Sequence, residues 1–336
     1  MPSAGVASTV PASGPAAGDQ NPYGTAVVPR TVGKLVRGDV VVSNFNDATN
    51  AQGTGSSIVE VSPSGRVKPF AVLSPPTSTP AVGLTTALVA LRSGYVIVGS
   101  LPAPGGQASA ARAGALTVLN AQGQAVETFS GGAINGPWDM TALDGGSHIV
   151  LFVSNVLNGT VAAGGADVDR GTVVRLSLEI SPGHPPQLTS ERVIATGLRE
   201  HTDPNALIVG PTGLGLAPNG VLYVADTARN RIASIPHALT RTRAVTNGGA
   251  TLSRGGRLAS PLGLAIAPNG DVLTVNGGDG NIVETTPTGS QVAHRTLVPD
   301  GAGDLFGVAV APGGRGVYFV DDAGTGTAAN SLELLH

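Results

Sequence analysis

The chain has 336 residues, of which 41% are hydrophobic, 12% are charged and 3% are aromatic, and its formal net charge is −3 at pH 7. This hydrophobic content is enough for a core, which must be packed mainly with valine, leucine, isoleucine and alanine because aromatic residues are few. A weakly acidic chain without a basic stripe argues against nucleic acid or an anionic membrane as a partner. The absence of cysteine excludes disulfides, thiol nucleophiles and cysteine–metal sites.

Residues 1–20 form a low-complexity N-terminal segment that is rich in alanine, serine, proline and glycine. The segment has neither the basic nor the apolar region of a signal peptide, and it is what remains when a signal peptide is replaced by a start methionine. We therefore expect an extracytoplasmic protein, periplasmic or secreted, whose signal peptide is absent from this chain. No apolar run approaches the length that crosses a bilayer, so no membrane insertion is expected.

One phrase recurs along the chain, in which a glycine two residues after a proline or leucine opens a short apolar run that ends in a proline. The clear copies are Pro22–Pro29, Pro211–Pro218, Pro261–Pro268 and Leu305–Pro312. Two degenerate copies, Val82–Leu91 and Pro137–Thr141, complete the set. Self-similarity at roughly 40–60 residues indicates a unit that buries its apolar face only by stacking on its own copies.

Each unit continues with further apolar segments of strand length, separated by glycine-bearing turns. Four antiparallel strands repeated around a centre predict an all-β fold, a six-bladed β-propeller formed as a single unit by residues 21–336. Its inner strands are predicted to begin near Gly24, Gly83, Asp139, Gly213, Gly263 and Gly307.

The sixth unit reaches the last residue, His336, after only three strands. A propeller has to close its ring, and Val6–Val10 is the apolar stretch before the first inner strand that could supply the missing outer strand. We therefore expect closure by an N-terminal strand. The alternative is a three-stranded last blade with an unpaired N-terminal tail.

The segment Pro211–Ile232 resembles the NHL repeat, with its Asn219-Gly220 turn and the run Leu222–Asp226, and Pro261–Ile282 is similar to it. The resemblance implies a six-bladed propeller in the broad class that also holds enzymes like SMP-30/gluconolactonase, strictosidine synthase, peptidylglycine lyase and virginiamycin lyase. Members without known chemistry also belong to that class, so the fold does not determine the function.

Long connections are predicted on one face of the propeller, between the second and third strands of several blades, at residues 44–56, 100–114, 155–171 and 322–330. The link over residues 198–210 lies on the same face and carries His201 and Asp203. Loops longer than a hairpin turn usually serve recognition or chemistry. We therefore expect the ligand at the central mouth of this face.

Polar residues end the second strands and form a predicted ring on that face: Asn44, Asn155, Asp226, Asn276 and Asp321, with Asp47, Asp279 and Asp322 close behind. Their oxygens suit Ca²⁺ or another divalent cation, and Asp139, Asp226 and Asp322 are the candidate metal ligands. In the alternative interpretation, each side chain binds the backbone of its own turn.

Trp138 and Asp139 stand where other units have any residue followed by glycine. Asp139 is a candidate catalytic base or metal ligand, and the alternative is a packing role within its blade. Trp138 is a candidate stacking wall for a ligand, and the alternative is core filling. His201 is a candidate catalytic base with Asp203 as its helper, and the alternative is a solvated side chain.

For two of the enzyme classes named by the resemblance, this chain lacks the characteristic active-site residues at the matching positions. Peptidylglycine-type lyases use several histidines around a zinc ion, and His201 is the single histidine predicted on the elaborated face. Lactonases like SMP-30 carry a glutamate at the start of the first blade, where this chain has Asn21-Pro22-Tyr23.

The sequence therefore favours a monomeric recognition scaffold for a small molecule, peptide or glycan. Its ligand-binding residues would be Asn44, Trp138, Asn155, Asp226 and Asn276. The alternative is a divalent-metal-dependent hydrolase or lyase, lactonase-like or virginiamycin-lyase-like, with its site at the channel mouth. The sequence leaves open whether the protein is an enzyme.

Overall fold

The computed structural model describes residues 18–73, 82–322 and 330–336, together with the backbone of residues 3–7. The predicted six-bladed β-propeller is confirmed: the described residues form six antiparallel sheets, and the inner strand of each contacts those of its two neighbours around a closed ring. No helix in the described part of the chain is long and apolar enough to cross a membrane.

The strands follow the predicted blades in chain order, after an N-terminal strand β1 (Ser3–Ala7). Blade 1 contains β2 (Gln20–Val27), β3 (Val40–Asn46), β4 (Ser57–Val61) and β5 (Val67–Val72). Blade 2 contains β6 (Leu84–Ala90), β7 (Val96–Ser100), β8 (Ala115–Leu119) and β9 (Ala125–Ser130). Blade 3 contains β10 (Pro137–Asp144), β11 (His148–Asn155), β12 (Val168–Glu179), β13 (Gln187–Asp203) and β14 (Leu207–Val209).

Blade 4 contains β15 (Pro211–Leu216), β16 (Leu222–Asp226), β17 (Arg231–Ile235) and β18 (Ala250–Arg254). Blade 5 contains β19 (Pro261–Ile266), β20 (Val272–Asn276), β21 (Asn281–Thr285) and β22 (Gln291–Thr296). Blade 6 contains β23 (Leu305–Val310), β24 (Val317–Asp321) and β25 (Ser331–Leu335). The α-helix α1 (Thr160–Ala163) and four 3₁₀ turns, Pro104–Gly106, Ala108–Ala110, Thr227–Arg229 and Pro312–Gly314, complete the described elements.

The core lies between neighbouring blades and consists mainly of aliphatic side chains, as the composition indicates. Between blades 2 and 3, for example, Ile97 and Leu116 pack in one cluster with Leu151 and Leu176, and all four are fully buried. Alternation along each strand places one apolar face against the preceding blade and the other against the following blade.

Glycine at the recurring position lets neighbouring inner strands approach each other closely. A Cβ atom at Gly263 would lie 2.0 Å from the carbonyl oxygen of Phe306 in the next blade. At Gly307 it would lie 2.2 Å from the carbonyl oxygen of Tyr23, where the last blade meets the first. The repeated glycine is therefore a requirement of the tight packing around the axis.

Blade 3 differs from the predicted pattern because it has five strands. Residues 155–171 and 198–210 were expected to be connections, but the end of the first segment and the start of the second extend the β12–β13 hairpin, with Val168 opposite Glu200. The chain then folds back as β14, which pairs with the end of β13. Cross-strand pairing over these additional residues satisfies backbone groups that a loop would leave to water.

Strand β1 pairs antiparallel with β25, with Ser3 opposite Leu334 and Ala7 opposite Ser331. The sequence analysis placed the closing strand at Val6–Val10, so the paired segment begins earlier than expected. Its contribution to holding the ring closed stays a prediction.

Removal of residues 1–17 is expected to lower the melting temperature by several degrees, because it leaves β25 as an unpaired sheet edge. The measurement is thermal unfolding followed by circular dichroism. A chain in which residues 8–17 are replaced by a glycine–serine linker of equal length is the control and should melt like the unaltered protein. An unchanged melting temperature after the deletion would show that β1 does not stabilise the ring.

Candidate functional site

Side chains from five inner strands meet on the axis of the propeller, and each comes from the same position in its strand. This axial layer consists of Tyr23, Trp138, Thr212, Leu262 and Phe306. In blades 3 to 6 each follows the residue that pairs with the last residue of the second strand, as Pro211 pairs with Asp226 in blade 4. In blade 1, Tyr23 follows Pro22, which pairs with Asn44, two residues before the end of β3. The repeat therefore aims one side chain from each of these five blades at the same level of the axis.

Aromatic rings make up most of this layer. The ring centroid of Tyr23 lies 4.0 Å from that of Phe306 and 4.3 Å from that of Phe45 of β3, on which it stacks. Trp138 meets Tyr23 edge-on with centroids 6.4 Å apart, and meets Phe45 in the same way at 6.0 Å. Such stacked and edge-on contacts favour a fixed arrangement of the rings.

The axial layer lies between two cavities. All five of its residues line a cavity of about 250 Å³ on the elaborated face, called here the mouth cavity. The same five residues line a cavity of about 350 Å³ that extends along the inner strands towards the opposite face, called here the channel cavity. The propeller therefore offers two enclosures of small-molecule size on one axis.

The tip between β13 and β14 forms one wall of the mouth cavity through Asn205 and Ile208. The side-chain amide of Gln52 donates a hydrogen bond to the carbonyl of Asn205. Leu207 at this tip is buried, and its φ of 62° is the left-handed conformation that the tight turn requires. These contacts fix the blade 3 extension over the mouth.

Asp322 is the carboxylate that lines the mouth cavity in the described structure. Its pKa is raised to about 7, mainly by burial and in addition by the negative charges of Asp304 and Asp321. Its own backbone N–H donates to the carbonyl of Asp304 at 2.8 Å, which holds the residue in place. A carboxyl group of this pKa exchanges a proton near neutral pH.

Tyr23 belongs to the same electrostatic environment. Its ring is 4% exposed, and burial together with the negative charge of Asp322 raises the pKa of its hydroxyl well above the usual value. The hydroxyl therefore stays protonated across the physiological range. The mouth thus combines a carboxyl group that exchanges a proton with a phenolic hydroxyl that stays neutral.

Asp139 lies on the other side of the axial layer, in the channel cavity. Its Oδ2 atom accepts the backbone N–H of Leu214 in the next blade at 3.1 Å. Burial raises the pKa of the carboxyl group to about 7, although hydrogen bonds from Met140, Leu214 and Thr86 oppose the rise. The structure therefore places this candidate base away from the mouth where the sequence analysis expected it.

Four members of the predicted Asn/Asp ring, Asn44, Asn155, Asp226 and Asn276, are fully buried and have hydrogen-bond partners within the protein. Asn44 donates to Ser57 Oγ at 3.0 Å. Asn155 accepts the backbone N–H groups of Asn135 and Gly136 at 3.2 and 3.3 Å. Neither Asn44 nor Asn155 lines the mouth cavity, and Asn155 binds the backbone of the link before β10 rather than that of its own turn.

The two ring members in the most regular repeats behave in the same way. Asp226 is fully buried and accepts a hydrogen bond from Arg231 Nε at 2.6 Å. Asn276 donates from its amide to the carbonyl of Arg257 at 2.8 Å and to Asp279 Oδ1 at 3.0 Å. Both residues lie outside the lining of the mouth cavity.

The three candidate metal ligands do not come together. Asp139 lines the channel, Asp322 lines the mouth and Asp226 is engaged by Arg231. Across the described residues, no group of three or more histidine, aspartate or glutamate side chains is arranged to hold a metal ion.

His201 and Asp203 lie on the β13–β14 hairpin but do not line the mouth cavity. His201 Nδ1 is 2.9 Å from Asp167 Oδ1. Asp203 accepts the backbone N–H groups of Asn205 and Ala206 at 2.6 and 3.1 Å and so stabilises the turn. The structure therefore does not bring His201 into contact with Asp322 at the mouth.

Trp138 combines the two roles that the sequence left open. It is 2% exposed and packs with Phe45 and Leu101 in a buried cluster, and it also lines both cavities. Sequence reasoning did not single out Tyr23 and Phe306 as its partners. The signal was present, because both occupy the position directly before the repeat glycine, as Thr212 and Leu262 do.

Comparison with family models and with curated proteins gives no match. Among solved structures, the chain is similar to a gluconolactonase from Xanthomonas campestris, with 14% identity and a TM-score of 0.57 over 94% of this chain and 86% of that one. It is also similar to regucalcin, a calcium-binding protein from Agrobacterium tumefaciens, with 12% identity and a TM-score of 0.58 over 94% and 89%. The chain has the six-bladed propeller fold of gluconolactonase and regucalcin.

A third similar structure is the PQQ-bound form of an aldose sugar dehydrogenase from Streptomyces coelicolor, with 17% identity and a TM-score of 0.61 over 99% of this chain and 96% of that one. Identities this low establish the shared fold, and the chemistry has to be argued from the site. Because no family model matches, the NHL repeat stays a resemblance of sequence.

Proposed function

We propose that the protein is an enzyme that hydrolyses a small cyclic ester in the mouth cavity, with Asp322 as general base and Tyr23 as hydrogen-bond donor. The observation that carries this proposal is the pairing of these two groups above an aromatic floor, in a cavity of about 250 Å³. The similarity in fold to a gluconolactonase supports the same reaction class.

The two groups fit the two halves of ester hydrolysis. An ionised Asp322 removes a proton from water while the water oxygen attacks the ester carbonyl carbon. The neutral hydroxyl of Tyr23 donates to the carbonyl oxygen as negative charge develops on it. The tetrahedral intermediate then collapses, the C–O bond of the ring breaks, and the protonated Asp322 returns its proton to the leaving alkoxide oxygen. A lyase like those for virginiamycin, the other alternative from the sequence, would use the same pair of groups.

The calcium ligands predicted from the sequence do not meet in the described mouth, whose lining has the side-chain oxygens of Asn21, Gln52 and Asn205 beside Asp322. Calcium requires several oxygen ligands around one point. Of the predicted ligands, Asp226 and Asn276 are held within their own blades, and Asp322 alone lines the cavity. PQQ is a tricarboxylate, and the described lining contains no lysine, arginine or histidine to pair with it. We therefore propose acid–base chemistry of the protein's own side chains.

Substitution of Asp322 by asparagine is expected to lower kcat/KM for a lactone by about 10²- to 10⁴-fold, because the general base is lost. The assay is ring opening of glucono-δ-lactone and of a panel of simpler lactones, followed by proton release. In the unaltered enzyme kcat/KM should rise with pH and level off above about 7, where Asp322 is ionised. Tyr23→Phe should lower kcat while the same pH dependence is retained.

Asp304→Asn is the matched control, because Asp304 raises the pKa of Asp322 without lining the cavity. This variant should keep the maximal rate and shift the rise to lower pH. Full activity in Asp322→Asn would show that the base is another group. Ligand binding at the mouth without turnover of any lactone would favour the recognition scaffold that the sequence analysis put first.

A further inference from the structure

The channel cavity has a distinct position and its own chemistry. It begins at the axial layer and extends past Leu88 and Val308 to Leu91 and Asp144, near the turns of the face opposite the mouth. Its volume of about 350 Å³ exceeds that of the mouth cavity, at about 250 Å³. The buried rings of Tyr23 and Trp138 lie between the two, so a molecule in the channel would not enter the mouth.

The charged groups of the channel all have the same sign. Asp139 and Asp144 are the carboxylates in its described lining, Tyr23 is the remaining titratable group, and no lysine, arginine or histidine faces it. Asp144 has backbone partners, because it accepts the N–H groups of Arg92 and Gly146 at 2.7 and 2.9 Å. Asp139 directly follows Trp138 of the axial layer, whereas Asp144 ends β10, so Asp139 is the carboxylate that lies deeper along the axis.

Asp139 lies deep within the ring of six blades, and part of its surface is still accessible. That surface faces the channel, whose lining includes the residue. Hydrogen bonds from Met140, Leu214 and Thr86 act on the carboxyl group, and no cationic side chain does. An ionised carboxylate in such surroundings lacks the counter-ion that would compensate for its desolvation.

We propose that the channel cavity is a second binding site, separate from the mouth cavity, that takes a small organic cation of the primary alkylammonium type with its nitrogen on Asp139. The ammonium group supplies the missing positive charge and three hydrogen-bond donors. Aliphatic side chains such as Leu88, Leu214 and Val308 line the remaining space and match the alkyl chain. This proposal does not depend on the reaction proposed for the mouth.

The experiment compares n-butylammonium with butan-1-ol, a neutral molecule of the same length, by isothermal titration calorimetry at pH 8. Butylammonium is expected to bind at least about tenfold more tightly than the alcohol, and Asp139→Asn should abolish that preference. Affinity should fall by about tenfold for each pH unit below about 7, because protons then compete with the cation for Asp139.

Two further variants locate the site. Ala142→Leu adds volume to the channel wall, retains Asp139 and should weaken binding of butylammonium. Asp322→Asn changes the mouth and should leave this binding unaltered. Three results would each overturn the proposal. The first is that the alcohol binds as tightly as butylammonium, and the second is that neither molecule binds. The third is that ammonium binding is lost in Asp322→Asn but not in Ala142→Leu. If Asp139→Asn does not fold, Ala142→Leu and Asp322→Asn still decide it.

Discussion

Replacement of Arg231 by methionine is expected to lower the free energy of unfolding by about 3–5 kcal/mol, because it removes the nearer of the two arginines that pair with a buried carboxylate and leaves only Arg229, at 3.5 Å. Arg231 Nε lies 2.6 Å from Asp226 Oδ2, and the two side chains are 5% and 0% exposed. The guanidinium also donates to Asn247 O at 2.5 Å and to Thr251 Oγ1 at 2.8 Å. Its loss therefore leaves several buried acceptors unpaired.

Chemical denaturation followed by circular dichroism measures this effect. The double variant Arg231→Met, Asp226→Asn removes both charges and should cost less than the single substitution. Arg199→Met is the matched control, because Arg199 pairs with Asp169 at 2.9 Å with both side chains well exposed, and it should cost about 0–1 kcal/mol. Equal costs for Arg231→Met and Arg199→Met would mean that burial of the pair contributes little.

The regular blades could be predicted because their local signals agree with one another. In blade 4 the proline, the glycine, the Asn219-Gly220 turn and the strand Leu222–Asp226 occur in the order in which the structure uses them. The turn-stabilising interpretation of Asp226 followed from its place in the repeat, whereas the structure shows a buried pair with the side chain of Arg231. Repetition gives each blade the same local solution.

The site was less accessible to prediction because it depends on contacts between distant parts of the chain. Tyr23 of the first blade meets Phe306 and Asp322 of the last blade when the ring closes. A repeat pattern shows that Asp139 replaces a glycine, but it does not show on which side of the axial layer the carboxylate lies. The β13–β14 extension was hidden for a related reason, since its pairing lies outside the repeated unit.

Truncation of Trp138 to alanine is expected to lower the free energy of unfolding by about 3–5 kcal/mol and to join the mouth and channel cavities. Trp138 is 2% exposed, lines both cavities and packs edge-on against Tyr23 and Phe45. Removal of the indole leaves a void between the two enclosures. The adjacent rings cannot fill it without losing their own stacking contacts.

Two measurements separate the structural effect from the functional one. Chemical denaturation gives the stability loss, and Phe152→Ala, which truncates a fully buried ring of blade 3 away from both cavities, should show a similar loss. Calorimetric titration of butylammonium, in the presence and absence of a lactone that the mouth accepts, then tests the layer itself. The two ligands should bind independently in the unaltered protein and in Phe152→Ala, and interfere with each other in Trp138→Ala. Without the indole, a continuous axial space would let each ligand reach the volume that the other occupies. Independent binding of the two ligands in Trp138→Ala would therefore contradict the role of this side chain as the partition between the cavities.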